Sequence, residues 1–273
     1  MLFAFDLDNT IVRADYDLPK ETIKTVQALR DAGHLVTVLT GRPHAAATEY
    51  LDLLGVTEHY STNHGALVTG ANGETLRRRR IEPEQVAAIL SNYQNDNEVF
   101  FSCVVDDTLY VRDPEHERWT WAHTQNRNIA RFEPGSELHA DKIVFSGALG
   151  DTINEHVKRD YPNFVTYPWD NGYLEVTGAD ADKGRALALL AGKLGVAQKD
   201  VVAFGDGPND VTMLKWAGYS LAVGPHAHPD VIAAADEHVA SPEELGVVRW
   251  LEENVLQTVG SQRESGWTRM ESG

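Results

Sequence analysis

The sequence predicts an α/β protein. Its core is a doubly wound parallel sheet (Rossmann-like), and an α+β domain, called the cap here, is inserted into that core. Three observations lead to this fold class. At the start of the chain, apolar runs of strand length alternate with helical segments. In the middle of the chain the predicted strands are closely spaced. Near the end, the alternation of strand and helix returns. Strand–helix–strand units of this size imply right-handed crossovers and therefore parallel strands.

Residues 1–72 are predicted to form the first part of the core. A buried strand at 2–5 is followed by a helix that has Pro19 in its first turn and ends at Gly33. A second strand and a second helix follow, the latter opening with Pro43 and closing with Gly55. The two units together predict neighbouring parallel strands with a helix between them.

The cap is predicted at residues 73–177 and the rest of the core at 178–260. The cap segment combines a helix with strands that pair in sequence, whereas the segment after it alternates helix and strand again. Residues 261–273 are polar and lack periodicity, which predicts a tail outside the fold. Chain crossings between the domains are expected near 70–82 and 177–182, where glycines could act as hinges.

The charge of the chain restricts its partners. Of its 273 residues, 41 are acidic and 24 basic, for a net charge of −17. This argues against nonspecific binding to nucleic acid or to an anionic membrane, and an anionic substrate would need a locally positive site. No apolar run is long enough to span a membrane. Asp6 interrupts the apolar run near the N-terminus, so the sequence does not predict a signal peptide. The single cysteine, Cys103, lies in an apolar run, which predicts a buried thiol and fits a reducing cytoplasm.

Several polar side chains directly follow predicted strands or open predicted helices. In an open parallel sheet, ligands bind outside the carboxyl ends of the strands, so these side chains are expected to gather at one edge. They are Asp6 and Asp8 after the first strand, Thr40, Gly41 and Arg42 after the second, Lys183 at a helix start, and Asp206, Asn209 and Asp210 after a later strand.

The gathered residues predict phosphoryl-transfer chemistry. Like charges such as Asp6 and Asp8 repel each other after a buried strand, so a cation should offset them. Asp6, Asp8 and Asp206, with Asp210 as a possible fourth, supply the hard oxygen ligands that Mg²⁺ prefers. The Lys183 ammonium, the Thr40 hydroxyl and the Gly41 amide can hold phosphate oxygens. One carboxylate can then attack phosphorus while another handles the proton of the leaving group.

The complete motif set resembles the haloacid dehalogenase superfamily, and most closely its Cof-type branch of sugar-phosphate phosphatases. The stretches that carry the resemblance are DLDNT, LTGR, the Lys183 of DADKGRAL, and GDGPND followed by a helix. They extend from residue 6 to residue 210, and weaker matches reach into the 240s. The insertion between the second and third motifs resembles the cap domain of that branch.

The resemblance implies a role for each motif residue. Asp6 would be the nucleophile that forms an aspartyl-phosphate, and Asp8 would protonate the leaving oxygen and then activate water. The Asp6 carboxylate, the Asp8 carbonyl and Asp206 would hold Mg²⁺, with Asp210 binding it directly or through water. The residues implied in phosphate binding are Thr40, Gly41, Arg42, Lys183 and Asn209.

The sequence departs from that family's pattern in three places. Asn9 replaces a common glycine, and asparagine tolerates the left-handed backbone that the turn needs. Where the family usually has Asn-Gly-Ala, this chain has His64 between Asn63 and Gly65. Where the family has Gly-Asn-Ala, this chain has Pro225 and His226 between Gly224 and Ala227. His64 and His226 are expected to be structural or surface histidines, with contact to substrate as the alternative. The two histidine differences could alter the rim of the pocket.

The resemblance places substrate choice in the cap. Aromatic and polar side chains there could line a sugar site, with a place in the cap core or on its surface as the alternative for each. They are Trp119, Trp121, His123, Tyr167, Trp169 and Asn171. The run of four arginines at 77–80 is expected to be a solvated strand or hinge, with steering of phosphate esters as the alternative.

The prediction for the whole chain is a magnesium-dependent phosphatase. Its substrate would be a small phosphorylated metabolite, a sugar or polyol phosphate by the resemblance, and the chain would be a monomer or a small homo-oligomer. Two alternatives remain open at this point. A phosphomutase would return the phosphate to a sugar, and a non-catalytic module would bind metal and phosphate without turnover. The intact Asp6 and Asp8 pair argues against the second alternative, because binding alone does not need Asp8.

Overall fold

The computed structural model describes residues 1–124, 127–169 and 172–257. Asn171 and the predicted tail at 261–273 lie outside the described residues. The strands in chain order are β1 (Leu2–Phe5), β2 (Leu35–Val38), β3 (Tyr60–Thr62), β4 (Leu67–Thr69), β5 (Thr75–Arg78), β6 (Val99–Val105), β7 (Thr108–Val111), β8 (Asn128–Arg131), β9 (Lys142–Gly147), β10 (Val165–Pro168), β11 (Leu174–Thr177), β12 (Val201–Gly205), β13 (Tyr219–Val223) and β14 (Glu237–Val239).

Nine α-helices accompany these strands in the described part of the chain. They are α1 (Lys20–Asp31), α2 (His44–Leu54), α3 (Pro83–Ser91), α4 (Thr120–Thr124), α5 (Gly150–Asp160), α6 (Lys183–Lys193), α7 (Val211–Trp216), α8 (Pro229–Ala234) and α9 (Gly246–Leu251). None of the described helices is both long enough and apolar enough to cross a membrane.

The chain forms two compact units. One unit comprises Met1–Gly41, Ala47–Leu76 and the described residues from Asp182 onward, and it is called the core unit here. The other, the cap unit, comprises Arg77–Ala181 together with the short segment Arg42–Ala46. The chain therefore passes four times between the units, and the short segment between the first two crossings was not anticipated from the sequence.

The core unit is built on a parallel sheet with strand order β14-β13-β12-β1-β2. β1 lies in the middle and pairs in parallel with both β12 and β2. Its side chains alternate between two apolar layers, because successive residues of a strand point to opposite faces. Phe3 and Phe5 pack in one layer, and Leu2 and Ala4 pack in the other. This arrangement confirms the predicted fold class.

The helices of the core unit bury one face each against that sheet. In α1 the buried residues, Thr22, Thr25, Val26 and Leu29, recur every three or four positions, as expected for a single helical face. Helix α6 buries Ala186, Leu187 and Leu190 in the layer that also contains Leu2 and Ala4. Apolar layers on both sides explain why the central strands are apolar runs without polar alternation.

The cap unit contains a six-stranded sheet with order β10-β11-β9-β6-β7-β8. Its neighbours are antiparallel, as the closely spaced strands suggested, except that β7 and β8 run parallel. One face of the sheet packs against α3 and α5 in an apolar cluster that includes Phe101, Cys103, Ile143 and Phe145. Cys103 is buried, and burial raises the pKa of its thiol well above the ordinary value.

The arginine run at 77–80 is less solvated than the sequence suggested. Arg78 and Arg80 both donate to the buried Asp141 and to Asp106, with N···O distances from 2.6 to 3.1 Å. The prediction of a solvated strand is therefore wrong for these two side chains. Their guanidinium groups satisfy a carboxylate that is completely buried in the cap unit, since an unpaired buried charge would be strongly destabilising.

Candidate active site

Two carboxylates stand one residue beyond the ends of neighbouring strands. The parallel register pairs Phe5 of β1 with Phe204 of β12, and the Asp6 amide donates to the Phe204 carbonyl at 3.1 Å. Asp6 and Asp206 therefore leave the sheet at the same edge, where the carboxyl ends of its strands meet. Asp6 is almost completely buried there. Asn9 has a φ of 55°, which confirms that it takes the left-handed conformation in the turn after Asp6 and Asp8.

Lys183 connects two of the carboxylates. Its Nζ lies 2.6 Å from Asp6 Oδ1 and 2.5 Å from Asp210 Oδ1, and its side chain is completely buried. Helix α6 begins at Lys183, and the Asp182 side chain caps it by accepting from the Arg185 amide at 2.9 Å. The capped helix start thus holds the ammonium group against Asp6.

Asp210 is anchored from several directions. Its Oδ2 accepts hydrogen bonds from the amides of Asp206 and Gly207, at 3.1 and 3.0 Å, while its Oδ1 accepts from Lys183. Asp206 in turn accepts from the Thr10 hydroxyl at 2.9 Å. Asp210 therefore shapes the loop that carries Asp206, and Thr10 fixes one Asp206 oxygen. The sequence contained Thr10 in its first motif but gave no signal for this contact.

Burial and crowding change the ionisation of these groups. Burial, and next the Asp210 charge, raise the pKa of Asp6, although Lys183 partly offsets them. Burial and Asp210 likewise raise the pKa of Asp206 to about 7, against the Thr10 hydrogen bond that lowers it. Burial alone would lower the pKa of Lys183, but the Asp210 and Asp6 carboxylates raise it above its ordinary value. The cluster is thus short of positive charge.

The donor set fits a divalent cation. Within the described residues, oxygens of Asp6, Asp206 and Asp210 lie within 4.8 Å of one another. Three carboxylates face one ammonium group, so full ionisation leaves a charge of about −2, which a divalent ion would neutralise. Carboxylate oxygens are also the ligands that Mg²⁺ prefers. The Asp8 carboxylate is outside this group, which is compatible with the implied role of its backbone carbonyl.

A second group of polar residues surrounds Gly41. Thr40 is completely buried, and its carbonyl accepts from the His64 amide at 3.0 Å. The His64 ring lies directly against Gly41, so closely that a Cβ there would approach His64 Cε1 to 2.3 Å. The Asn209 amide nitrogen donates to His64 Nδ1 at 2.9 Å. His64 therefore joins two residues that the resemblance implies in phosphate binding.

His64 is the principal site residue whose contacts the sequence did not reveal. It is almost completely buried and has a φ of 58°, between the left-handed residues Asn63 and Gly65. The expectation of a structural histidine is compatible with this position. No periodicity marks such a loop, and the unusual order Asn63-His64-Gly65 was the only signal available. Arg42 belongs to the cap unit and its Nη1 donates to the Ala46 carbonyl at 3.2 Å.

Four of the cap residues that the sequence predicts at a sugar site divide into two groups. Trp119 and Trp121 line a cavity in the cap unit, and Trp121 is the more exposed of the two. Tyr167 is buried, and the ring of His123 instead contacts the Pro114 carbonyl at 3.0 Å. The alternative of a structural place fits these last two residues better.

Comparison with known proteins gives the family. The model of the haloacid dehalogenase-like hydrolases matches residues 3–251, which contain every residue of the site described above. The chain belongs to the haloacid dehalogenase-like hydrolases. This confirms the predicted resemblance at the level of the superfamily, and it confirms the prediction of a hydrolytic enzyme.

Individual relatives resemble this hydrolase along almost its entire length. The 5-amino-6-(5-phospho-D-ribitylamino)uracil phosphatase YitU of Bacillus subtilis is 27% identical, and the alignment covers 92% of this chain and 96% of YitU. The solved structure of BT4131, a sugar phosphatase of HAD subclass IIB, has a TM-score of 0.79 at 22% identity, covering 93% of this chain and 99% of BT4131. TM0651 from Thermotoga maritima has a TM-score of 0.76 at 24% identity, covering 92% and 96%.

Proposed function

We propose that this hydrolase is a Mg²⁺-dependent phosphatase that acts on a small phosphorylated metabolite, with sugar and polyol phosphates as the first class to test. The observation that carries the proposal is the buried Asp6 carboxylate held 2.6 Å from Lys183, with oxygens of Asp206 and Asp210 nearby. Two relatives, YitU and BT4131, are phosphatases, which supports the choice of a phosphate ester.

Asp6 is the group suited to attack phosphorus. Its oxygen would form a bond to phosphorus while the bond to the leaving alcohol breaks, which gives an aspartyl-phosphate. Lys183 keeps the Asp6 charge in place and can stabilise the phosphoryl oxygens as negative charge moves onto them. The Thr40 hydroxyl, the Gly41 amide and Asn209 are the further donors for these oxygens.

Asp8 would move the protons of the reaction. In the first step it would donate a proton to the departing alkoxide, because a sugar or polyol hydroxyl is a poor leaving group unless it is protonated. In the second step it would take a proton from water, whose oxygen attacks phosphorus and releases both Asp6 and inorganic phosphate. The same carboxyl group thereby serves as acid and then as base.

The metal ligands we propose are the Asp6 and Asp206 carboxylates and the backbone carbonyl of Asp8. When bound there, Mg²⁺ supplies positive charge for these carboxylates and for the phosphoryl group. Asp210 is better suited to positioning than to direct ligation, because Oδ2 already accepts two amide hydrogen bonds and Oδ1 accepts from Lys183. We expect the cytoplasm as the compartment, since Cys103 is the only cysteine and is buried.

The test is phosphate release from a panel of phosphorylated sugars and polyols. The wild-type chain should release phosphate, lose this activity in excess chelator and regain it with Mg²⁺. Asp6→Asn should lower kcat by about 10³-fold or more with the fold intact, because removal of a nucleophile costs several orders of magnitude. The matched control is Asp52→Asn, the same change at an exposed position of α2, which should leave kcat unchanged.

The covalent intermediate gives a second readout. Acid quenching during turnover should trap a phosphorylated wild-type chain, and Asp6→Asn should trap none. The proposal is wrong if Asp6→Asn retains more than about a tenth of the activity or if full activity persists in excess chelator. Analysis of the products separates this enzyme from a phosphomutase, which would isomerise a sugar phosphate without releasing phosphate.

A further inference from the structure

His64 lies between two groups that are proposed to hold the phosphate. It follows β3, while Gly41 follows β2 and Asn209 follows β12, and all three residues belong to the core unit. The His64 ring packs directly against Gly41, and its Nδ1 accepts from the Asn209 amide nitrogen at 2.9 Å. Three separate segments of the chain therefore meet at one imidazole ring.

The loop that carries the His64 ring is held from two sides. On one side the His64 amide donates to the Thr40 carbonyl at 3.0 Å. On the other side Gly65, which has a φ of 96°, lies so close to the Asp182 carbonyl that a Cβ would approach its oxygen to 2.3 Å. His64 itself is almost completely buried. The ring consequently has little freedom to follow a movement of Asn209.

The hydrogen bond between the two side chains selects one orientation of the Asn209 carboxamide. A ring nitrogen that accepts a hydrogen bond is unprotonated, so the neutral His64 ring carries its proton on Nε2. If the carboxamide were turned over, its oxygen would face this unprotonated nitrogen, and two acceptors would repel each other. The amide nitrogen carries two N–H groups, so the contact with His64 leaves the second one for another acceptor.

The selected orientation is the one that suits an anion. Phosphoryl oxygens are negatively charged acceptors, so they bind N–H groups and are repelled by a carboxamide oxygen. Asn209 is buried, which leaves little room for water to replace His64 and hold the carboxamide in place. The same ring fills the space in which a side chain at residue 41 would lie, so it also borders the segment that offers the Gly41 amide.

We propose that His64 is a positioning residue of the phosphate site, which holds Asn209 with one N–H directed at the phosphoryl oxygens. The proposal rests on the proposed phosphatase function and adds to it a residue that acts through Asn209 without touching the substrate. A histidine with a merely structural role would stabilise the loop but would leave the affinity for phosphate unchanged.

Two substitutions of His64 separate these roles. His64→Ala removes both the ring and the acceptor. His64→Asn removes the ring but keeps an acceptor bonded to Cγ, where Nδ1 is in histidine, and asparagine tolerates the left-handed backbone that His64 has, with a φ of 58°. The asparagine variant should therefore lose stability with the packing of the ring, yet it should keep its affinity for phosphate.

His59→Ala is the matched control. His59 directly precedes β3, is partly exposed and has a φ of 57°, nearly the value of His64. Replacement of either histidine by alanine thus carries a similar cost of left-handed backbone. A difference between the two alanine variants then comes from the contacts of the side chain at residue 64.

The binding test is calorimetric titration of the full-length chain with inorganic phosphate in the presence of Mg²⁺. In His64→Ala the Kd should rise by about tenfold, because a misdirected Asn209 loses a hydrogen bond to a charged group. Asn209→Ala should give a similar loss, and the double variant should bind within about twofold of either single variant, because both changes remove the same contact. His64→Asn should stay within about threefold of wild type, and His59→Ala should match wild type.

A spectroscopic measurement tests the orientation itself. Proton–nitrogen correlation spectra of the histidine rings should show His64 with an unprotonated Nδ1 and a protonated Nε2. The side-chain amide signal of Asn209 can be identified by its absence in Asn209→Ala. This signal should shift in His64→Ala and keep its position in His59→Ala.

Four results would overturn the positioning role. They are an unchanged Kd in His64→Ala, losses that multiply in the double variant, a loss in His64→Asn as large as that in His64→Ala, and a proton on Nδ1. A wild-type chain that binds no phosphate would overturn it as well.

The binding test also separates this inference from the proposed function. If no ester is hydrolysed but phosphate binding depends on His64 through Asn209, the phosphatase function fails and the positioning role stands. If esters are hydrolysed and His64→Ala leaves the Kd for phosphate unchanged, the positioning role fails and the phosphatase function stands.

Discussion

The close approach of His64 to Gly41 makes Gly41→Ala a sensitive test of the site. A Cβ at residue 41 would lie 2.3 Å from His64 Cε1 and 2.9 Å from both ring nitrogens. Normal contact between such atoms needs about 3.5 Å, so the ring must move by about 1 Å. His64 is almost completely buried and has little room to move, and the displacement would break its 2.9 Å hydrogen bond with Asn209.

The expected cost follows from these contacts. Overpacking of a buried site costs about 1–3 kcal/mol, and the lost hydrogen bond adds about 1 kcal/mol. In a chain of this size each kcal/mol lowers Tm by about 2–4 °C, so a total cost of about 2–4 kcal/mol in Gly41→Ala should lower Tm by about 4–16 °C. The Gly41 amide and Asn209 are proposed to hold the phosphate, and a shift of about 1 Å there should lower kcat/KM by about 10²-fold.

A double-mutant cycle identifies the cause. Removal of the ring in Gly41→Ala/His64→Ala should make the pair less destabilised than the sum of the single variants, by at least about 1 kcal/mol. The control is Gly192→Ala in α6, where a Cβ meets no atom within 4 Å and the better helix former should not destabilise the protein. Thermal unfolding and kcat/KM measure both effects. A wild-type Tm for Gly41→Ala, or a cost that His64→Ala fails to relieve, would refute this reasoning.

Three further predictions address the carboxylates and the thiol. Asp8→Asn should slow formation of the aspartyl-phosphate less for an aryl phosphate than for an alkyl phosphate, because a good leaving group needs less protonation; rapid-quench rates that fall equally would contradict this. The pKa of Asp206 is raised from 3.8 to about 7 by burial and Asp210, so the folded state holds this proton more tightly than the unfolded chain. Metal-free stability should therefore fall as pH rises from about 4 through about 7, and between pH 5 and pH 8 Asp206→Asn should gain up to about 3 kcal/mol relative to wild type, which melting curves in chelator would measure; the same difference at both pH values would refute it. Burial raises the pKa of Cys103, so a disulfide reagent should modify one thiol per chain in denaturant and almost none in the native protein, and rapid native labelling would show that the cap core is open.

The sequence was most informative where chain topology determines position. The sequence predicts that Asp6 and Asp206 lie close together, because residues that follow adjacent parallel strands leave the sheet at the same edge. It also places Lys183 near them, because the helix that follows the inserted domain begins at Lys183. These inferences need only the order of strands and helices. In the structure, oxygens of Asp6, Asp206 and Asp210 lie within 4.8 Å of one another, and Lys183 Nζ lies 2.6 Å from Asp6 and 2.5 Å from Asp210.

Contacts between distant loops were beyond that reasoning. His64 contacts Asn209 across 145 residues, and Arg78 contacts Asp141 across 63. No local pattern encodes such pairs, so the sequence predicts a solvated arginine run and no specific contact for His64. The cavity on the second face of the cap sheet was beyond prediction for a different reason. The period-2 pattern of that face is visible in Lys142-Ile143-Val144-Phe145-Ser146, but alternation alone does not distinguish a face that lines a cavity from a solvated one.

The cluster around Asp6 and the cavity of the cap unit differ in the sign of their charge. The cluster around Asp6 is short of positive charge, so its proposed metal and Lys183 would serve the phosphoryl group of any ester alike. The cap cavity carries an excess of positive charge from Arg118 and Arg127.

Both faces of the cap sheet are constrained by packing. Ser102, Lys142 and Glu175 line the cavity and alternate along their strands with the apolar residues that pack against α3 and α5. Ser102 and Lys142 are nevertheless buried, and Lys142 forms an ion pair with Glu175. Val104 and Val144 on the same face pack in a second apolar cluster with Trp119. Because breaking a buried ion pair leaves an unpaired charge, a substitution of Lys142 or Glu175 should destabilise the cap unit, as the loss of a buried apolar side chain would.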